Sequence, residues 1–168
     1  PTDIFEQCAQ CFNAKIFEGI KIIITAGPTR EWLDPIRFIS NQSSGKMGYA
    51  IAQAAVDAGA EVLLVSGPVD LIPPKKVQFH SAMTAQGMLD LVLEHIANAH
   101  IFISTAAVAD YAPINIAKNK IKSDTKTISI SLNKNKDIVK TVATEYPNVY
   151  VVGFAAETNC GKTYNLSL

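Results

Sequence analysis

Four short runs of branched aliphatic residues constrain this chain more than any other feature: IKIIIT (20–25), EVLLVS (61–66), IFISTAA (101–107) and VYVVGF (149–154). Each is nearly unbroken in apolar residues instead of alternating, as a strand covered on both faces must be. The stretches between them carry a helical period. GKMGYAIAQAAVDA is expected to form a helix from Gly45 to about Ala58, with Met47, Ile51, Ala54 and Ala55 on its apolar face and Gly59 ending it. A second helix is expected from Thr84 to Ala99 with Met88, Leu89, Val92 and Ile96 inward, and a third over KDIVKTVATEY (136–146). Strands and helices in alternation predict an α/β, Rossmann-like three-layer fold, a mostly parallel sheet with helices on both faces. Two weaker strands, VQFH (77–80) and the period-two KTISISL (126–132), and a polar, lysine-rich loop over 112–126 complete the expected pattern.

The 168 residues make one domain, long enough to bury a core on both faces of a sheet. With 48% hydrophobic and 18% charged residues the chain is not a disordered one. Fifteen basic and fifteen acidic residues cancel, which removes any general attraction to nucleic acid or membrane. An anion must therefore be held by local groups. No apolar run approaches the roughly 20 residues that span a bilayer. The opening PTDIFEQCAQCF lacks the basic residues and cleavage pattern of a secretory signal, and Pro1 in place of methionine is what a segment of a longer protein would show. Three cysteines, an odd number, argue against a disulfide framework and fit a reducing cytoplasm. Cys8 and Cys11 form a C-x-x-C, but no second Cys/His pair stands at zinc spacing. Together with Ile4, Phe5 and Phe12 they fall on one stripe of an expected N-terminal helix, where free cysteine packs as a small hydrophobe.

In a parallel sheet, ligands bind beyond the carboxyl ends of the strands. TAGPT, SGP, STAAVADY and GFAAET each follow directly on a predicted strand end. The stretch NQSSGKMGYA (41–50) opens the first helix. It is not a P-loop, because Met47 stands where Ser or Thr should follow Gly-Lys and the upstream glycine is missing. Nor is it a G-x-G-x-x-G fingerprint. What it offers physically is a helix amino terminus, whose free N–H groups and positive dipole end suit an anion, with Ser43 and Ser44 as further hydroxyls. The plainer use of a serine here is to cap the helix; Asn41 lies ahead of that cap.

Asp110, inside AAVADY, is either a turn former or an acceptor for a base or ribose donor, or a metal contact. In KNKIK, Lys118, Lys120 and Lys122 make either a solvated loop or a flap that brings cationic charge onto a triphosphate. Glu157 in GFAAET is equally compatible with a plain surface position. His80, His95 and His100 show no metal spacing. There is no G-x-S-x-G elbow and no tyrosine with a lysine four residues on, so hydrolase and short-chain dehydrogenase readings lack their central motifs.

The residues alone stop at an anion-binding α/β domain, but their combination goes further. ITAGPTREWLDPIRFISNQSSGKMGYAIA, SGPV, STAAVADY, KNKIK, NKNKDIV and VVGFAAET resemble the phosphopantothenoylcysteine synthetases in order and spacing, and specifically the synthetase half of the bifunctional bacterial coenzyme A biosynthesis protein. The resemblance divides the chain into a connector helix at 1–19, a nucleotide-binding synthetase domain at 20–158 and an atypical tail at 159–168. It implies a ligase that joins 4′-phosphopantothenate to L-cysteine using CTP and Mg²⁺. The substrate carboxylate attacks the α-phosphate of CTP, giving an acyl-cytidylate and pyrophosphate. The cysteine amine then attacks the acyl carbon and releases CMP. Both steps build negative charge that needs fixed donors, and the intermediate needs shielding from water.

Carried over by position, the resemblance implies that Gly27, Pro28 and Thr29, with Ser43, Ser44 and Gly45, cradle nucleotide phosphates. Asn41 matches the asparagine associated with the acyl-cytidylate and its conversion. Ser104, Thr105, Ala106 and Asp110 match nucleotide contacts, Asp110 nearest the cytidine, and Lys120 matches the flap lysine at the reacting phosphate. Asn135, Lys136, Asp137, Ile138 and Phe154 match the cytosine-side wall, with Lys136 where the family usually has proline. The metal ligands are left open. Also implied are a homodimer with the site near its interface, a neighbouring decarboxylase domain, and no nucleic acid or membrane partner. The tail departs from the family: two lysines that contact the nucleotide are expected after GFAAET, and Lys162 in NCGKTYNLSL is no convincing substitute for either. A non-catalytic CTP-binding fragment and a nucleotide-binding oxidoreductase remain as alternatives; binding of CTP rather than NAD(P) separates the second, turnover the first.

Overall fold

Strand β1 (Lys21–Ala26) lies in the middle of the main sheet, and its own residues explain that position. Ile22 and Ile24 join the core on one face and Ile23 the core on the other, all nearly inaccessible to solvent. In the computed structural model, which describes residues 15–122 and 127–154, β1 pairs in parallel with β4 (Glu61–Ser66) on one side and β6 (Ile101–Ser104) on the other. β5 (Gln78–Ser81) continues the sheet beyond β4, and β9 (Tyr150–Gly153) beyond β6, both parallel. The order β5-β4-β1-β6-β9 makes a Rossmann-like α/β sheet. The chain winds outward from β1 through β4 to β5, then crosses to β6 and β9, so the direction of winding reverses at β1 and β6. That reversal opens a crevice at their carboxyl ends.

Helix α1 (Lys46–Asp57) covers the face carrying Ile22, Ile24, Val62 and Leu64. Helices α2 (Ala85–His95), prolonged by a 3-10 turn over Ile96–Asn98, and α3 (Ile138–Glu145) cover the face carrying Ile23, Leu63, Val65 and Phe102. Full burial of side chains such as Phe102, Leu64 and Val92 stabilises the fold by about 1.5–3 kcal/mol each. Thr84 caps α2 by accepting the Gly87 N–H at 3.1 Å. Gly59 (φ 92°) ends α1, its N–H donating to the Val56 carbonyl while that of Ala60 reaches Ala55. This is the left-handed termination expected of a glycine.

Several sequence expectations are corrected. The buried face of α1 is Gly48, Tyr49, Ala52 and Ala55, whereas Met47 and Ala54 are exposed and Ile51 is half-buried. The helix approaches the sheet through Gly48, Ala52 and Ala55, with the Tyr49 ring buried beside them and its hydroxyl donating to Ser66 Oγ at 3.2 Å. Regular pairing in β6 ends at Ser104; residues 105–107 leave the ladder to follow the turn after β1, with the Ala107 N–H donating to the Gly27 carbonyl. KTISISL is not a strand over its described residues 127–131; pairing begins at its last residue, in β8 (Leu132–Lys134), which runs antiparallel to β7 (Tyr111–Pro113). The expected loop from 112 thus starts with a strand. β9 is half-covered instead of buried, with Tyr150 exposed, since it stands at the edge of the described sheet. A short hairpin, β2 (Arg30–Trp32) with β3 (Phe38–Ser40), was not expected at all. The N-terminal helix with Cys8 and Cys11, Glu157 and Lys162 lie outside the described residues.

Candidate functional site

Three glycines close the carboxyl ends of β1 and β4 against the start of α1. Gly27 (φ 71°) and Gly45 (φ 72°) are left-handed, and a Cβ on Gly45 would lie 3.1 Å from Val69 Cγ1 and 3.5 Å from the Gly27 Cα. A Cβ on Gly67 would overlap the Pro28 carbonyl. One turn into α1, a Cβ on Gly48 would overlap Thr105 Oγ1 and the Ala26 Cβ. Only glycine permits this approach, which sets the amino end of α1 directly over the sheet.

That amino end is not capped by a side chain. The cap position is Gly45, and neither serine occupies it. Ser43 Oγ accepts the Gly45 N–H at 3.3 Å, and Ser44 is exposed. The first helical bond runs from the Tyr49 N–H to the Gly45 carbonyl. The amides of residues 46–48 therefore have no acceptor within the helix and present their positive dipole end outward. The capping role open to a serine in the sequence is not taken.

Four residues ahead of that cap position, Asn41 is exposed and its Nδ2 donates to the Val108 carbonyl at 3.0 Å and, more weakly, to that of Ala107 at 3.4 Å. Thr29, expected in the phosphate cradle, is wholly buried: its Oγ1 accepts the Ala109 N–H at 2.9 Å, and its carbonyl accepts Ser40 Oγ at 2.7 Å. It braces the turn. Thr105 Oγ1 donates to the Thr25 carbonyl at 2.6 Å, and buried Ser104 lies 3.4 Å from Thr25 Oγ1. Half-buried Ala106 leads into the same loop, whose last residue, Asp110, is exposed.

The 135–138 segment is also held by bonds within the fold. Asn135 Nδ2 donates to the Ala109 carbonyl and its N–H to that of Asp110, both at 2.7 Å. Asp137 caps α3 through the Lys140 N–H at 2.9 Å, and Ile138 is a core residue. Lys136 and Phe154 remain exposed near these strand ends, the Phe154 N–H donating to the Ser104 carbonyl at 3.3 Å.

Asp34 was missed by the sequence reading, although its Asp-Pro pair, a turn-initiating signal, was there to find. It sits in the β2–β3 turn with no solvent access. Its carboxylate accepts four hydrogen bonds: Oδ1 from the N–H groups of Ile36 (2.8 Å) and Arg37 (2.7 Å), Oδ2 from Arg37 Nη1 and the Ile121 N–H (both 3.0 Å). The Ile121 N–H, then those of Ile36 and Arg37 and the Arg37 charge, outweigh the opposing effect of burial and lower its pKa from 3.8 to about 2. Lys120, the neighbour of Ile121, is exposed. Among the described residues no group of three or more His, Cys, Asp and Glu could hold a metal ion, and no helix is long and apolar enough to cross a membrane. A cavity of about 420 Å³ lies at the opposite, amino end of β1 and β4, and no expected site residue lines it.

The family model described as the DNA/pantothenate metabolism flavoprotein C-terminal domain matches residues 17–166. The coenzyme A biosynthesis bifunctional protein CoaBC of Vibrio vulnificus is 48% identical over 167 residues, which are 98% of this chain and 42% of that protein. The protein of the same name from Bacillus subtilis is 45% identical over 142 residues, 84% of this chain and 35% of its own. The chain thus spans less than half the length of these relatives. A crystal structure of the C-terminal domain of CoaBC superposes with a TM-score of 0.77 at 46% identity, covering 88% of this chain and 69% of that one. A Cab2 mutant in complex with phosphopantothenate-cysteine has a TM-score of 0.73 over 85% of this chain and 66% of its own, at 18% identity, a likeness of fold. By the matched span and these identities, the chain belongs to the DNA/pantothenate metabolism flavoprotein C-terminal domain family and corresponds to the C-terminal part of CoaBC.

Proposed function

We propose that this domain is the synthetase that joins 4′-phosphopantothenate to L-cysteine, with CTP as the activating nucleotide and an acyl-cytidylate between the two steps. The observation that carries the proposal is the uncapped amino end of α1, packed through glycine against the carboxyl ends of β1 and β4 with Asn41 beside it. Membership of the family, and relatives named for coenzyme A biosynthesis, support the substrate class. In the first step a carboxylate oxygen of phosphopantothenate bonds to the α-phosphorus of CTP, and the bond to pyrophosphate breaks. In the second, the cysteine amine bonds to the acyl carbon, loses a proton and expels CMP.

The residues divide the work by chemistry. The free amides at 46–48, with Ser43 and Ser44, suit phosphate oxygens. Lys120 supplies a cation at the reacting phosphate, where charge develops. Asn41 is assigned to the acyl-cytidylate, and Asp110 accepts from the cytidine. Mg²⁺ enters with the triphosphate; held chiefly by phosphate and water, it needs no more than one or two protein carboxylates, and Asp110 is an exposed one at this end. Exposed Tyr111, Ile114, Ile116, Ile128, Ile130 and Leu132 support the homodimer, because so much clustered apolar surface around the β7–β8 pair calls for a partner. A decarboxylase domain fused to this one, as in the bifunctional relatives, and a cytoplasmic setting complete the reading.

Thermal unfolding with CTP, ATP and NADPH in turn, each with Mg²⁺, tests it. CTP at a hundred times its Kd should stabilise the protein by about 2.7 kcal/mol, and NADPH should not. Identical melting with and without saturating CTP would remove the proposal.

A further inference from the structure

The two oxygens of Asp34 do different things. Oδ1 closes its own turn on Ile36 and Arg37, which is all that a turn-forming aspartate requires. Oδ2 instead accepts the Ile121 N–H, 87 residues away in the chain. Arg37 Nη1, already bonded to Oδ2, donates to the Ile121 carbonyl at 2.8 Å. Both backbone groups of Ile121 are thus held by the Asp34–Arg37 pair. A second attachment, the Ala117 N–H to the Leu33 carbonyl at 2.9 Å, lies four residues earlier. Between the two attachments stand only Lys118, Asn119 and Lys120, all exposed. Trp32, Asp34 and Pro35 line one cavity of about 340 Å³ together with Ile116, Ala117 and Lys118. The other end of the hairpin leads straight through β3 to Asn41.

We infer that Asp34 is a positioning residue for the activation step: through Oδ2 and Arg37 it fixes Ile121, and so sets Lys120 at a constant place relative to Asn41. This rests on the reading of Lys120 as the cation at the reacting phosphate. Asp34→Asn tests it, because an amide can face either the two donors at Oδ1 or the two at Oδ2 with an oxygen, never both pairs.

Two readouts in the full-length protein that carries this domain separate positioning from plain stability. The first is the rate of tryptic cleavage at Lys118, Lys120 and Lys122, which should rise severalfold in Asp34→Asn with the melting temperature kept. The second is CTP-dependent pyrophosphate release, which should fall by about 10- to 100-fold, the cost of a misplaced reacting group. Asp34→Asn combined with Lys120→Gln should then be no slower than Lys120→Gln alone. If Asp34→Asn fails to fold, Arg37→Met, which removes the donor to Ile121 from an exposed side chain, takes its place with the same expected cleavage and rate. Unchanged cleavage, or loosened cleavage with a full rate, or additive losses in the double variant overturn the clamp. A wild-type rate in Lys120→Gln alone sinks the reading of Lys120, and the inference falls with it.

Discussion

At Gly48 two effects of adding one methyl group oppose each other, and their sizes decide the outcome. Alanine is the better helix former by about 1 kcal/mol, but its Cβ would overlap Thr105 Oγ1 and the Ala26 Cβ. Ala26 is the fully buried last residue of β1, so the overlap cannot be relieved by a flexible tip. Overpacking of this kind typically costs about 1–3 kcal/mol. Gly48→Ala should therefore lower stability in urea denaturation, and lift the α1 terminus enough to weaken CTP binding. Asp34 gives a prediction of pH dependence. Its folded pKa, about 2, lies below the ordinary 3.8, so its contribution is complete above the ordinary value and is lost as pH falls toward 2. The stability difference between the parent protein and Asp34→Asn, followed by denaturation at successive pH values, should be constant from neutrality to about pH 5. It should then shrink between 3.8 and 2. At this scale the sequence was only partly legible. Glycine and asparagine at the strand ends could be read from motif order, but which hydroxyl is buried as a strut and which stays partly exposed could not. Thr29 and Ser43 look alike in sequence; only burial separates them.

At the level of elements, the strands of the main sheet and the cap of α2 were readable because continuous apolar runs and a Thr three residues before Gly87 are local signals. The misreadings also have local causes. Hydropathy weights Met47 and Ile51, yet the close approach at Gly48 turns a different face to the sheet, Gly48, Tyr49, Ala52 and Ala55. Three-residue strands such as β2 and β3 are too short to show a period. KTISISL alternates like a strand, but its described residues before Leu132 lack regular pairing and leave Ile128 and Ile130 exposed. That exposure yields the element-scale prediction. If the surface around β7 and β8 is the dimer contact, Ile130→Lys with Leu132→Lys should convert a dimer into a monomer by light scattering. Neither change should unfold the domain, since neither side chain belongs to its core clusters.

For the whole molecule, the reversal of winding at β1 and β6 gathers onto one end of the sheet groups that are distant in sequence: the uncapped terminus of α1, Asn41, Asp110 and the loop carrying Lys120. A mostly parallel sheet could be expected from the strand–helix alternation, but its strand order could not. The clamp from the β2–β3 hairpin to Ile121 could not, because it joins two loops through one carboxylate. The account stands on the claim that this end activates a carboxylate with CTP. Pyrophosphate release in the full-length protein carrying this domain, with CTP, Mg²⁺ and 4′-phosphopantothenate present and cysteine withheld, measures that most directly. The account predicts pyrophosphate formed only when both CTP and phosphopantothenate are present, with an acyl-cytidylate visible by mass spectrometry and consumed on adding cysteine. Pyrophosphate release indifferent to phosphopantothenate, or amide formation without any cytidylate, would contradict it.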